Sequence, residues 1–405
     1  MSGGALAAGA LAAKEAASAA AWVDSAASEP FWGSRQGGIA TPQQRHTYFA
    51  AFDLAADKRA DVVSLLREWT AASARMASGL TARPLGPDAT RPGDDGGSAV
   101  GLAPARLTLT FGFGAGLFMS GANDRYGLSK HRPDALVDLP RFAGDQLQAE
   151  RTGGDLSVQA CSDDPQVAFH AVRELVRLAY GAASIRWAQA GFLPSAAPKE
   201  TPRNLMGFKD GTSNPTSPAD MNKFVWCAGE APDWMRGGSY AVVRRVRIAL
   251  EHWDRMPVDF QERAVGRRKM SGAPLGGHAE FDPVDLEATD SDGNPLVAEN
   301  SHVRLATARS NEGARILRRA YSYNDGVSFT SERWPPWAQG MEYDAGLLFI
   351  CYQRDPRSGF IKIFEPMSQL DQLNQFFTHG GGGLFACPRG IGQGEYVGQR
   401  LFDAA

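Results

Sequence analysis

Asn204-Leu205-Met206-Gly207-Phe208-Lys209-Asp210-Gly211-Thr212-Ser213-Asn214-Pro215 is too irregular for a helix or a strand, and it sets one carboxylate, Asp210, between Gly207 and Gly211. Glycine lets a backbone turn sharply and approach a ligand closely. An acid held there is placed for a task more often than it is left solvating a surface; the plainer reading is that Asp210 caps a turn or a helix. Two further stretches follow it. Ser301-His302-Val303-Arg304-Leu305-Ala306 carries a lone histidine into a short apolar run that reads as a strand, and Arg315-Ile316-Leu317-Arg318-Arg319-Ala320-Tyr321 brings paired arginines just before an aromatic residue.

The Asp210 segment lies between two runs of strand and helix signals. Before it, 46–54 reads as a strand with Tyr48, Phe49 and Phe52, and 57–76 carries Val62, Leu65, Leu66, Trp69 and Met76 at helical spacing. A Pro/Gly/Asp-rich loop spans 79–101, and strands are predicted over 107–113 and 156–161. Asp163 or Asp164 caps a helix with Pro165 in its first turn, running to about Tyr180, and 185–191 is a further strand. This order, β-α-β-β-α-β, is the ferredoxin-like unit. After the segment, a strand over 239–250, a helix over 251–267, strand-like pieces at 303–307 and 317–323, a strand over 346–353, a helix within 360–376 and a closing strand at 383–387 repeat that order. The expected fold class is α+β, with two ferredoxin-like (βαββαβ) domains built on antiparallel sheets. A chain of 405 residues is long for one domain. The division expected is an Ala-rich tail at 1–44, an N-terminal domain at 45–215 that carries the Asp210 loop, and a C-terminal domain at 216–405.

In order and spacing, Gly207-x-x-Asp210-Gly211, His302-Val303-Arg304-Leu305-Ala306 and Arg318-Arg319-Ala320-Tyr321 resemble the dye-decolorizing (DyP-type) haem peroxidases, and among them the bacterial exported A-type branch. The resemblance implies haem b (iron protoporphyrin IX) between the two domains, with His302 as the axial iron ligand. It implies that Asp210 accepts a proton from bound peroxide and returns one to the leaving oxygen. Arg318, the first of the pair, would stabilise the charge developing on that oxygen. Adjacent residues of a strand face opposite ways, so Arg319 would point away. The family usually has Gly where this chain has Ala320. By the same resemblance, Gly211, Thr212 and Ser213 line one edge of the cofactor, and Thr307, Ala308 and Arg309 another, with Arg304 and Arg318 also in contact. Asp371, in Leu370-Asp371-Gln372-Leu373-Asn374, would be the carboxylate partner of the ligand imidazole. Plainer readings stand beside these: a structural His302, a surface Arg309, a helix-surface Asp371. The activity implied is reduction of hydrogen peroxide via a ferryl intermediate, with oxidation of small one-electron donors such as phenols or dyes. The alternative is a haem-binding iron-acquisition protein of the deferrochelatase-like kind. Of the other histidines, His170 sits at core spacing on its helix, and His379 adjoins the Gly380–Gly383 run.

Composition bounds the rest. The apolar fraction of 43%, the charged fraction of 21% and a net charge of −3 are those of an ordinary globule, without the basic face that nucleic acid or an anionic membrane would need. The four cysteines, Cys161, Cys227, Cys351 and Cys387, form no Cys-x-x-Cys pair, which argues against a zinc ribbon, thioredoxin chemistry or haem c. The Ala-rich opening, with Leu6 and Leu11, is too short and too weakly apolar to span a bilayer. It reads as a signal-peptide remnant without the basic leading region. The expectation is an exported protein, periplasmic or extracellular, by the twin-arginine route; the alternative is a plain tail on a cytoplasmic protein. Oligomeric state is left open by the sequence.

Overall fold

Alternation of aromatic and small residues gives β1, His46–Leu54, which lies at the centre of the N-terminal strands. The structure, a computed structural model, describes residues 27–86, 90, 93–194, 201–331 and 339–405. The Ala-rich stretch over 1–26 that reads as a signal-peptide remnant lies outside them. The N-terminal half continues with α1 (Arg59–Ala77), β2 (Thr108–Phe113), β3 (Leu156–Ser162), α2 (Pro165–Leu178) and β4 (Ala183–Phe192). The C-terminal half contains β5 (Ser239–Ile248), α3 (Val258–Val265), α4 (His302–Ala306), β6 (Leu317–Arg318), β7 (Tyr321–Ser331), β8 (Gln339–Gln353), α5 (Lys362–Leu370) and β9 (Phe377–Cys387). Neighbouring strands are antiparallel, in the order β2-β3-β1-β4 in the first half and β9-β5-β8-β7 in the second.

The two sets are joined edge to edge. β2 meets β9 at Phe113–Ala386, and β4 meets β7 at Phe192–Ser322, so eight strands close into one ring. Alternate residues of β1, β5, β8 and β9 fill its interior, among them Phe49, Ala51, Val243, Leu348, Ile350, Tyr352 and Phe385. The other face of the first half, including Phe52, Phe111, Val158 and Ala160, packs on α1 and α2 through Trp69, Leu66, Val172 and Leu175. Each large apolar side chain buried there stabilises the fold by roughly 1.5–3 kcal/mol relative to exposure. Gly382 shows how closely β9 and β5 pack. A Cβ at that position would lie 1.9 Å from the Val243 carbonyl oxygen, so only glycine fits.

Several boundaries differ from the sequence reading, for physical reasons. Asp164 rather than Asp163 caps α2, accepting from the backbone of Gln166 and Val167, while Asp163 accepts from the Arg45 backbone. The helix expected over 251–267 is broken into Leu250–Trp253 and α3, because Pro257 lacks a donor and ends the first turn. The piece at 303–307, expected as strand, is helix α4. Arg, Leu and Ala favour helix, and an apolar run this short does not distinguish a strand from a buried helical turn. All four cysteines are buried and free. No helix among the described residues is long and apolar enough to cross a membrane.

One buried group gives the fold a pH dependence. His379, on β9, packs edge-on against Phe364, and its Nδ1 has no hydrogen-bond partner. Burial, reinforced by the Arg244 charge, pulls its pKa down to about 3. An unfolded histidine takes up a proton near pH 6.5 and the folded one does not, so the unfolded state binds more protons between those values. Stability is expected to be complete above about pH 6.5 and to fall as pH drops toward 3, by up to a few kcal/mol. Denaturant midpoints measured across that range should decline less steeply in His379→Phe than in wild type.

Candidate active site

The loop of Asp210 is a small hairpin pinned at several points. Arg203 bridges to Lys209, the Asn204 backbone N–H donates to Phe208 O, and the Asp210 N–H donates to Pro202 O. The Asn204 side-chain oxygen accepts from Met206 N and Phe208 N, an Asx turn that leaves Gly207 at φ +85°. Gly211 follows at φ +119°, a conformation that side-chain-bearing residues rarely adopt. The Arg203 guanidinium donates to Gly207 O, Lys269 O and Met270 O, which fastens the hairpin to the segment after α3. Lys209 is drawn aside by an ion pair with Glu280, and Asp210 lines a cleft with Gly211, Asn214, Arg318 and Leu347.

Arg318 reaches the same cleft from the ring. β6 continues the line of β7 along β8 in one register, Arg318 opposite Cys351 and Tyr321 opposite Leu348. Alternation then sends neighbouring arginines opposite ways. Arg318 Nη1 donates to Asp210 Oδ1 at 3.1 Å. Arg319 turns into the ring, 4% exposed, and donates to Thr41 O and to Gln44 Oε1. Asn214 clamps Arg318 from its backbone: its side chain accepts from Arg318 N at 3.0 Å and donates to Arg318 O at 2.9 Å. The Asp210 loop and the arginine strand are therefore positioned by one residue.

His302 opens α4, with Val303 facing one apolar cluster and Leu305 another, which fixes the helix between them. Its Nδ1 lies 2.7 Å from Asp371 Oδ2, and the ring is 34% exposed. The other Asp371 oxygen caps the turn that follows by accepting from Leu373 N at 2.9 Å, so the carboxylate is held from behind. Burial alone would lower the His302 pKa. The Asp371 charge and hydrogen bond outweigh it and push the pKa up, with Asp210 adding to that rise and Arg318 opposing it. The two pairs, Asp210 with Arg318 and His302 with Asp371, bring together the groups that the three sequence motifs single out.

The remaining residues are placed less centrally. Arg304, expected as a cofactor contact, donates through Nη1 to Leu286 O and Val297 O and acts as a strut for the long loop before α4. Arg309, expected in the same role, is an exposed side chain paired with Glu287. Thr307 closes α4, its hydroxyl donating to Arg304 O and bonding Ser310 Oγ, with Ala308 beside it. Thr212 is half-buried and Ser213 exposed, both on the loop that follows Gly211. Asn214 and Arg203 are functional supports that sequence reasoning passed over. The first sits inside the segment that carries Asp210, but its partner is 104 positions away.

Comparison with known proteins places the whole chain. Residues 36–193 fit the family profile described as Dyp-type peroxidase, N-terminal, and residues 201–391 fit Dyp-type peroxidase, C-terminal. The dye-decolorizing peroxidase of Thermobifida fusca is 41% identical over 91% of this chain and 84% of its own. The deferrochelatase of Escherichia coli (strain K12) is 37% identical over 92% of this chain and 87% of its own. The crystal structure of a DyP-type peroxidase from Streptomyces coelicolor superposes with a TM-score of 0.84 at 41% identity, covering 94% of this chain and 98% of that one. Ferric DtpA from Streptomyces lividans gives 0.83 at 41% identity, with coverage of 94% and 98%. The chain belongs to the Dyp-type peroxidase family. Its activity is that of a peroxidase, with hydrogen peroxide and an electron donor as substrates.

Proposed function

We propose that the chain is a haem b peroxidase in which His302 holds the iron, Asp210 moves the proton and Arg318 stabilises developing charge. The His302–Asp371 pair carries the reading. With Nδ1 committed to Asp371 at 2.7 Å, Nε2 is the nitrogen left to coordinate, on a ring that is 34% exposed. A carboxylate behind an imidazole fixes its tautomer and raises its donor strength, which is the donor set a haem iron takes. When bound, haem supplies the iron centre at which the peroxide O–O bond breaks and from which small one-electron donors such as phenols or dyes are oxidised. The Asp210 carboxylate accepts the proton of one peroxide oxygen and delivers it to the other. The Arg318 guanidinium, bonded to Asp210 and carried on a backbone that Asn214 clamps, faces the negative charge that develops on the leaving oxygen. Gly211 lets the backbone approach the cofactor edge without a side chain between.

The same strand order in each half supports two ferredoxin-like units, 45–215 and 216–405, with haem bound by the second. The 37% identity with a protein named deferrochelatase favours a second reading, removal of iron from haem. The purified protein's absorption spectrum before and after peroxide separates the two. A peroxidase shows a Soret band that moves on peroxide addition and returns with donor, with the iron retained. Free iron appearing alongside metal-free porphyrin would favour the second reading.

Two expectations follow from the supports. Asp371→Asn keeps the cap on Leu373 but removes the charge behind His302. Haem affinity should fall by roughly 10–100-fold, as for loss of other outer-shell partners, and a haem titration followed at the Soret band measures it. Arg318→Leu should slow peroxide consumption by about 10²–10³-fold. Arg319→Leu, on the far face of the strand, should leave it within a few-fold. Stopped-flow mixing with peroxide compares them, and the reverse order would place the wrong arginine in the cleft.

A further inference from the structure

α2 carries His170 and Glu174 one turn apart, a spacing that puts both on one face of a helix. Both are buried, and the chain segment over 93–98 lays a third ligating group, Asp95, against them. A ligand atom from each of the three lies within 4.8 Å of the others. We propose that Asp95, His170 and Glu174 bind a divalent transition-metal ion of the zinc class, which fastens this segment to α2. The site shares no residue with the candidate active site.

The surroundings are arranged as a ligand shell. Asp95 Oδ1 accepts from Gly97 N and Oδ2 from Ala82 N, each at 2.7 Å, so the carboxylate is fixed by its own loop. Glu174 Oε1 accepts from Gly96 N at 3.0 Å, and its other oxygen is paired with Arg177. Each oxygen that accepts once still has a lone pair. His170 Nδ1 lies 2.8 Å from Ser98 Oγ, and with Nδ1–H donating to that hydroxyl the Nε2 lone pair is left facing Asp95. An imidazole oriented through its other nitrogen is the usual arrangement of a metal-binding histidine.

The competing reading is a closed hydrogen-bonded cluster in which His170 donates to Asp95. Geometry argues against it. An imidazole hydrogen-bonded to a carboxylate draws in to about 2.7–2.9 Å, as His302 and Asp371 do at 2.7 Å. His170 Nε2 and Asp95 Oδ2 stand 3.5 Å apart, although both side chains are almost wholly buried. That is too long for a hydrogen bond. It matches the separation of about 3.4 Å between two ligands each roughly 2.1 Å from a tetrahedral ion. One imidazole with two carboxylates suits zinc better than magnesium or calcium, which prefer more oxygens. A cavity of about 220 Å³, lined by His170, Met76, Leu80, Val100 and Leu102, lies beside the cluster and gives an ion a way in.

The test uses haem-loaded protein, so that His302 is occupied, stripped of other metals by a chelator. Zinc titration by calorimetry should give one site per chain, and zinc should raise the unfolding temperature. Glu174→Gln keeps the shape and the bond to Gly96. It should weaken zinc binding by more than the roughly 10–100-fold that loss of an outer-shell partner costs, and should abolish the thermal shift. Ser98→Ala, which removes the group that orients His170, should weaken binding by about 10–100-fold. Circular dichroism of both variants confirms that they are folded. The proposal is overturned if stripped wild type and Glu174→Gln respond to zinc alike, whether both bind or neither does.

Discussion

His302→Ala is expected to leave a folded chain that no longer retains haem. The helix that carries His302 is held by Val303 and Leu305 in two apolar clusters, not by the imidazole, so removing the ring costs the fold little. It removes the iron's donor outright, and none of the neighbouring groups replaces it. Asp371 sits behind the ring at 5% exposure, bonded to Leu373 N. His379 lies elsewhere, on β9 beside Phe364, and His170 belongs to the cluster on α2. Loss of a direct ligand should exceed the roughly 10–100-fold that loss of an outer-shell partner costs. Titration with haem, followed at the Soret band, should give weak and non-stoichiometric binding. Full occupancy with an unchanged iron spectrum would remove His302 as the ligand.

Asp210→Asn should separate the chemistry from the binding. The amide keeps the shape of the carboxylate and a hydrogen bond to Arg318, so haem should stay bound. The Asp210–Arg318 pair is about one-third exposed on each side, and pairs of that kind contribute about 1 kcal/mol or less. The unfolding midpoint should therefore hardly move. What disappears is the group that both accepts and returns the proton, a function that contributes about 10²–10⁴-fold. Peroxide consumption in stopped-flow experiments should fall by that amount. An Asn variant that works at the wild-type rate would mean that water or Arg318 carries the proton and that Asp210 only shapes the loop.

The parts of this molecule legible in its sequence are those whose cause is local. Asp210 between two glycines, the arginine pair before an aromatic and the aromatic alternation of β1 each depend on neighbours within a few positions. β1 is accordingly found to the residue. The parts that were not legible depend on distant partners. β8 begins at Gln339 rather than near Gly346, because its acidic residues Glu342 and Asp344 alternate with Met341, Tyr343 and Ala345 along β7. β9 runs through four consecutive glycines, and pairing of Gly381, Gly382 and Gly383 with Arg245, Arg244 and Val243 of β5 holds them as strand. The partners of Arg304 and Arg309, carbonyls and an acid from the long loop before α4, likewise lie several residues or more away in sequence. Asn214 matters only through a strand roughly a hundred residues downstream.

Closure of the ring left no sequence signal, since each junction is a single residue pair: Phe113 with Ala386, and Phe192 with Ser322. Those two narrow junctions bear on how copies of this chain meet. A closed cylinder has no bare strand edge to offer a neighbour, and that protects it from edge-to-edge aggregation. Here the protection is uneven. Within each half the strands are laced along most of their length, while the ladder between the halves is one residue pair at each junction, with a shared interior packed behind it. A molecule in which the junctions part shows four edges at once, β2, β4, β7 and β9, all of them ready to pair. A second open copy satisfies them as well as the chain's own other half does, so the same contacts that close one molecule can interlock two by exchange of halves. The junctions are in effect the clasp of the protein, and which partner fastens it is a question of concentration during folding.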